Sequence, residues 1–480
     1  MVFSSPIFLF AFLPAVFLLH ALLPGTRARN VLLAGASLVF YAFGQLGYLP
    51  LFLISVLFNY LAGRLLAGRR KKSRAVLAAA VVVNLGLLGV YKYADFVLAM
   101  FSLPTPGLLL PIGISFYTFQ GLSYVIDVYR EPESGTRDFG KLLLYLAFFP
   151  QLIAGPIVKY HEIAPQLDER SCSPEQTEAG ILRFVWGLGK KLLLADAIGA
   201  IADPVFTGGT GDVRLAWLGA LCYTLQIYYD FSGYCDMAVG LGRMFNFSIP
   251  ENFNSPYKSH SVPEYWTRWH ATLTRFFTNY IYTPILMHGV RKKKRKQYIL
   301  ITPLIVYFIS GFWHGASWTF IIWGMMQGIA TVWSQRKFLK IRNRFVTWFC
   351  TFFFTIVTQV VFRSETIPNM LSILKAMFVP HLTGYVLDIG STMSLIPAFK
   401  GALEVVLRIN ISVLYHVYTL ILVLSFVLAG LILHGPNSGE IQIKAKEKGY
   451  GTLFTLALGL LFAWCLVSMT GLSTFLYFNF

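Results

Sequence analysis

The sequence predicts an all-α polytopic membrane protein with about 11–14 transmembrane or re-entrant helices, because three of its features leave little room for anything else. Only 13% of the 480 residues are charged and the mean hydropathy is +0.61, too little polar surface to cover a soluble globule of this size. Apolar stretches recur at lengths suited to a hydrocarbon core about 30 Å thick, which takes roughly 20 helical residues. The net charge of +18 gathers in short connections between those stretches, a distribution that orients membrane helices.

In chain order, spans are expected at 6–24, 31–45, 50–67, 75–95, 140–157, 178–200, 213–230, 297–312, 316–334, 345–362, 411–434 and 450–475. The first run has no basic leader, passes through Pro14 and is followed by Arg27 and Arg29 in place of a small-residue cleavage site; it reads as a retained helix starting outside. Stretches 108–125 and 270–289 carry more polar groups and are expected to be buried, tilted or re-entrant. If both cross, the basic loops at 27–29, 69–74, 291–296, 336–344 and 442–448 all fall in the cytosol. Helix orientation and attraction to anionic lipid account for these charges, and the gathering of a polyanionic cosubstrate such as coenzyme A is compatible with them.

The stretches 129–139, 159–177 and 246–268 suit surface loops or short interfacial helices. The connection 363–410, with Pro368, Pro380 and Pro397, is expected over the outer face. No solenoid or inverted-transporter repeat is visible, so a single polytopic domain over 1–480 is the economical reading. Cys172, Cys222, Cys235, Cys350 and Cys465 show no zinc or redox spacing, and no metal is expected.

His314 is the most informative position. It interrupts two apolar runs, 297–313 and 315–334, which both end in positive charge, so the segment enters the membrane and returns with His314 at the turn of the hairpin. An ionisable side chain there is costly and usually has a task. His270 follows Arg268 and Trp269 at the start of a stretch, 271–282, in which Leu273, Phe276, Phe277 and Tyr280 recur at helical spacing. It is either a structural histidine bridging helices or a member of the reaction site.

Polar residues also collect in apolar surroundings at Gln226, Tyr228, Tyr229, Asp230, Ser232, Tyr234 and Asp236. Two carboxylates there must meet partners, for which Arg243, backbone amides or water are available, and helix cross-bracing is favoured over direct catalysis. A similar trace, Ser115, Tyr117, Gln120, Tyr124 and Asp127, suggests a polar cavity or channel. There is no Walker loop, dinucleotide fingerprint, zinc-protease helix or serine-nucleophile elbow. A histidine general base remains, able to take a proton from a hydroxyl attacking a thioester. His270 or a nearby amide could steady the oxyanion or the leaving thiolate.

Several segments carry a family resemblance: 111–120 (PIGISFYTFQ), 149–157 (FPQLIAGPI), 230–238 (DFSGYCDMA), 250–257 (PENFNSPY), 266–270 (WTRWH), 311–316 (GFWHGA), 361–363 (VFR) and 475–480 (FLYFNF). The chain resembles the membrane-bound O-acyltransferases, and within them the bacterial alginate O-acetyltransferase-like branch. The likeness covers most of the chain and is strongest over 108–335. It implies tilted helices around a central tunnel, acyl-CoA entering from the cytosol and the acceptor from outside. The family's invariant histidine maps onto His314, at mid-depth or at the outer mouth of the tunnel, and a second, more cytosolic polar position maps onto His270. Thr267 and Asn279 depart from the arginine and aspartate common at those places.

The resemblance further implies acetyl transfer from acetyl-CoA to hydroxyls of an extracytoplasmic, alginate-like surface polysaccharide. It implies a bacterial inner-membrane location and a separate periplasmic or extracellular acetyl-accepting protein. No nucleic-acid partner is expected. Two other classes fit the residues alone: a transporter or flippase using the polar pathway, and a structural subunit of a polysaccharide export complex.

Overall fold

The computed structural model describes residues 1–68, 73–171, 173–208, 211–336, 342–381, 430, 433, 435–448, 451–469 and 475–476. Every regular element among them is helical, as the apolar periodicity predicts. The expected span 411–434, apart from residues 430 and 433, and most of the connection 363–410 lie outside the described residues. The chain divides into two compact units, Met1–Phe184 with Met237–Glu251, and Val185–Asp236 with Asn252–Phe480.

The first unit opens with a widened turn, Phe8–Phe12, that continues into α1 (Leu13–Leu22). It then runs through α2 (Gly25–Gln45), α3 (Leu49–Gly68), α4 (Ser73–Met100), α5 (Ile114–Arg130), α6 (Phe139–Ala147) and α7 (Tyr160–Asp168). Gly25–Gly68, broken by one tight turn at Leu46–Tyr48, and Ser73–Met100 are long and apolar enough to cross a membrane. The buried amides of Asn59 and Asn84 donate to each other, at 3.2 and 3.0 Å, and join α3 to α4 where no water could satisfy them.

The stretch expected to span at 140–157 is a short helix and a buried irregular segment instead. α6 ends at Ala147, Phe148 leaves helical backbone with ψ 108°, and Pro150, Gly155 and Pro156 prevent a restart. This segment abuts the start of α5, where Gly113 has φ +74° and a Cβ would lie 2.7 Å from the Leu152 carbonyl oxygen, so only glycine fits.

α8 (Pro174–Gly189) and α10 (Val213–Met244) each supply residues to both units. Between them a wide π turn, Lys190–Ala195, leads into α9 (Asp196–Gly208). The second unit continues with α11 (Val262–Arg268), α12 (Ala271–Phe277), a π turn at Thr278–Tyr282 and α13 (Thr283–Arg291). The stretch 271–282, read as one amphipathic run, is helical throughout and widens into the π turn from Thr278. An exposed basic turn leads into α14 (Arg295–His314), which pairs with α15 (Trp318–Arg336); α16 (Arg344–Arg363) and α17 (Ile367–Phe378) follow. α14 and α16 also satisfy the length and apolarity of a membrane span. The basic segment 442–448, expected as a loop, lies in a helix, α18 (Ser438–Lys448), and α19 (Thr452–Val467) closes the described elements.

Candidate active site

His314 is the last residue of α14 and is 3% exposed. It stands at the hairpin turn expected from the flanking charges, inside packed protein. The hairpin is unusually close: a Cβ on Gly311 would lie 2.3 Å from the Phe320 carbonyl oxygen, and one on Gly324 2.3 Å from the Tyr307 carbonyl oxygen. Small residues let two helix backbones touch. That contact brings the Trp323 ring to 5.1 Å from the imidazole, edge to face at 89°. Phe362 of α16 stands 5.2 Å away and Trp313 4.8 Å away, so aromatic rings hold the imidazole in one orientation.

The rings are themselves fixed. Trp266 of α11 packs on Trp323 at 5.7 Å and donates through Nε1 to Gln327 Oε1 at 3.2 Å, and Gln327 donates onward to Thr358 Oγ1 at 3.0 Å. Polar links of this kind align helices where lipid supplies no hydrophobic drive between them.

His270 lies between α11 and α12, fully buried, with φ +45°. Left-handed backbone is uncommon for such a residue and reorients the chain between the two short helices. Its ring meets Phe231 of α10 at 4.8 Å and Trp313 at 6.3 Å. Trp313 thus contacts both histidines. Asn252, within the segment 250–257 but not singled out by sequence, holds His270 Nδ1 at 3.1 Å.

A cavity of about 170 Å³ runs beside α14. Trp266, Leu273 and Phe277 line one side and Pro303, Val306 and Ser310 the other, with Tyr282 and Gln335 also on its wall. Ser310 is about one helical turn before His314.

The carboxylates of the polar trace meet lysines that sequence spacing could not nominate. Lys190 Nζ lies 2.7 Å from Asp236, and Lys191 Nζ lies 2.6 Å from Asp230 and 2.8 Å from Asp196. Asp230 also accepts the Leu476 backbone N–H at 2.9 Å. In the first unit, Ser115 Oγ accepts from Lys92 and the Tyr124 hydroxyl from the Thr136 N–H. Among the described residues no cluster of three or more histidine, cysteine or acidic side chains could hold a metal.

Residues 131–364 match the model of the membrane-bound O-acyltransferase family. The chain is 35% identical over 540 aligned positions to the peptidoglycan O-acetyltransferase of Helicobacter pylori, covering 100% of this chain and 98% of that protein. This chain belongs to the membrane-bound O-acyltransferase family. It is also 40% identical over 398 positions to a probable alginate O-acetylase, AlgI, of Azotobacter vinelandii, covering 79% of this chain and 78% of the relative. A teichoic acid D-alanyltransferase of Streptococcus thermophilus shares 27% identity over 48% of this chain. The protein is accordingly a multi-pass membrane acyltransferase that uses an acyl donor, as the motifs led us to expect.

Proposed function

We propose that this membrane-bound O-acyltransferase moves acetyl groups from cytosolic acetyl-CoA to hydroxyls of an extracytoplasmic polysaccharide. The whole chain acts as one catalytic domain in the bacterial inner membrane, delivering through a periplasmic or extracellular acetyl-accepting protein. The observation that carries the reading is His314, buried in aromatic rings at the end of α14, one turn beyond a cavity that follows the same helix. Relatives named as acetylating peptidoglycan and alginate support the acetyl group and the glycan acceptor.

In the proposed reaction His314 takes the proton of the acceptor hydroxyl as its oxygen attacks the thioester carbonyl. The new C–O bond forms, the C–S bond breaks, and the proton passes from the imidazolium to the departing thiolate. No net charge is left in the low-dielectric site. His270 supports the same centre from the far side of Trp313.

Purified protein in liposomes, given radiolabelled acetyl-CoA, a glycan acceptor and the accepting protein, tests this. Wild type should transfer label, and His314→Ala should lose a factor of about 10²–10⁴, the usual worth of a positioned general base. Equal, background-level transfer by both would leave the transporter or export-subunit readings standing in its place.

A further inference from the structure

The side chain of Asn252 is shared by three donors. Its Oδ1 lies 3.1 Å from the Thr272 backbone nitrogen, 2.9 Å from Thr272 Oγ1 and 3.1 Å from His270 Nδ1, while its Nδ2 donates to Cys235 Sγ at 3.3 Å. A backbone N–H can only donate, so the amide atom facing Thr272 is the oxygen, and an amide oxygen can only accept. His270 Nδ1 therefore carries its hydrogen. In the neutral ring the lone pair then belongs to Nε2.

We infer that Asn252 is a positioning residue that fixes His270 as the Nδ1–H tautomer, so that the ring meets the substrate through a basic Nε2. The tautomer stands on geometry alone; its bearing on substrate rests on the acetyl-transfer reading above. The assignment settles which service His270 performs. A neutral ring with its hydrogen on Nδ1 cannot donate from Nε2 to an oxyanion or to a departing thiolate, the two services the sequence offered it. It accepts instead, from a hydroxyl, a thiol or the amide N–H of a pantetheine arm, and can receive a proton there.

Asn252 also has a plain structural duty. Its backbone oxygen accepts the Ala271 N–H at 2.9 Å and its Oδ1 accepts that of Thr272, so it caps α12 where His270, with its positive φ, supplies no side-chain cap. A cap alone would not dictate which ring nitrogen is protonated. On the elements packed against the ring, Cys235 of α10 is a titratable group beyond the Asn252 amide, and His314 of α14 one beyond Trp313. Arg268, two residues earlier, is paired with Glu264 at 3.0 Å. The amide itself is neutral and offers an imidazolium no counter-charge.

Nitrogen-15 NMR of histidine-labelled full-length protein in lipid bilayers, with His270→Gln to assign the signals, reads the tautomer directly. Wild type at alkaline pH should show His270 protonated at Nδ1 and bare at Nε2; a protonated Nε2 overturns the inference, whatever the enzyme's activity. Asn252→Asp keeps the shape and the acceptor but places a carboxylate opposite Nδ1. His270 should then hold its second proton to at least a tenfold lower proton concentration. A titration of His270 that coincides with wild type would equally overturn the inference. Loss of transfer in wild type would instead count against the functional reading and leave the NMR result intact.

Discussion

Replacing Asp236 by leucine should destabilise this protein by stranding a buried lysine, whereas replacing Asp230 by leucine should leave its lysine neutralised, although both carboxylates are buried on α10 and both face a lysine. Lys190 and Asp236 are 2.7 Å apart with side chains 9% and 6% exposed, and the other partner of Lys190 is the neutral Ser438 hydroxyl at 2.6 Å. Asp236→Leu leaves an ammonium group buried without a counter-charge, at a cost of about 3–5 kcal/mol. Lys191 differs because Asp196 stands 2.8 Å away as a second carboxylate. Asp230→Leu there removes two hydrogen bonds to a carboxylate, from Lys191 and from the Leu476 N–H, each worth about 1.5–3 kcal/mol, but leaves the ammonium group its Asp196 counter-charge. Joint replacement, Lys190→Met with Asp236→Leu, exchanges the pair for apolar volume and should return stability to within about 1 kcal/mol of wild type. Reversible denaturant or SDS unfolding in mixed micelles measures all four proteins. The reasoning fails if Asp236→Leu lies within experimental error of wild type, or if the double variant is as unstable as the single one.

Gly324→Val should lower the thermal midpoint and abolish transfer, since its Cβ would sit 2.3 Å from the Tyr307 carbonyl oxygen. Overpacking at this level costs about 1–3 kcal/mol or more, and an unchanged midpoint would mean that α14 and α15 are not in such contact. Transfer should fall as the pH is lowered, because a protonated ring cannot act as base. The loss lies on the acid side and reverses on raising the pH; a flat profile there would remove His314 from that role.

The helices were legible in the sequence where a strong, uninterrupted apolar run met charged ends, as at 297–312 and 345–362. Breaks inside such runs were harder to see. Pro150 and Pro156 signal the end of α6, but the following residues are as apolar as a span because they are buried in irregular backbone. The turn at His270 left no trace in the periodicity, since Leu273, Phe276 and Phe277 keep helical spacing after it. His314 was visible because an ionisable group in an apolar run is conspicuous, and His270 because it heads an amphipathic stretch. Their neighbours were not. Trp323, Phe362 and Asn252 look like ordinary core or loop residues until folding brings them to the rings. Lys190 and Lys191 sit about forty residues before the carboxylates they neutralise, a pairing that only a tertiary contact reveals.

The glycine seam between α14 and α15 also bears on how the proposed reaction at His314 would be reached. Where Gly311 and Gly324 touch, no gap remains for a thioester arm or a sugar hydroxyl to thread between those two helices. In the proposed reaction the open volume past Trp266 and Leu273 is the flank along α14 left for approach. Under that reading the hairpin is a bulkhead as well as a mount, and a leak cut into it would admit water to a thioester that should meet only its intended acceptor.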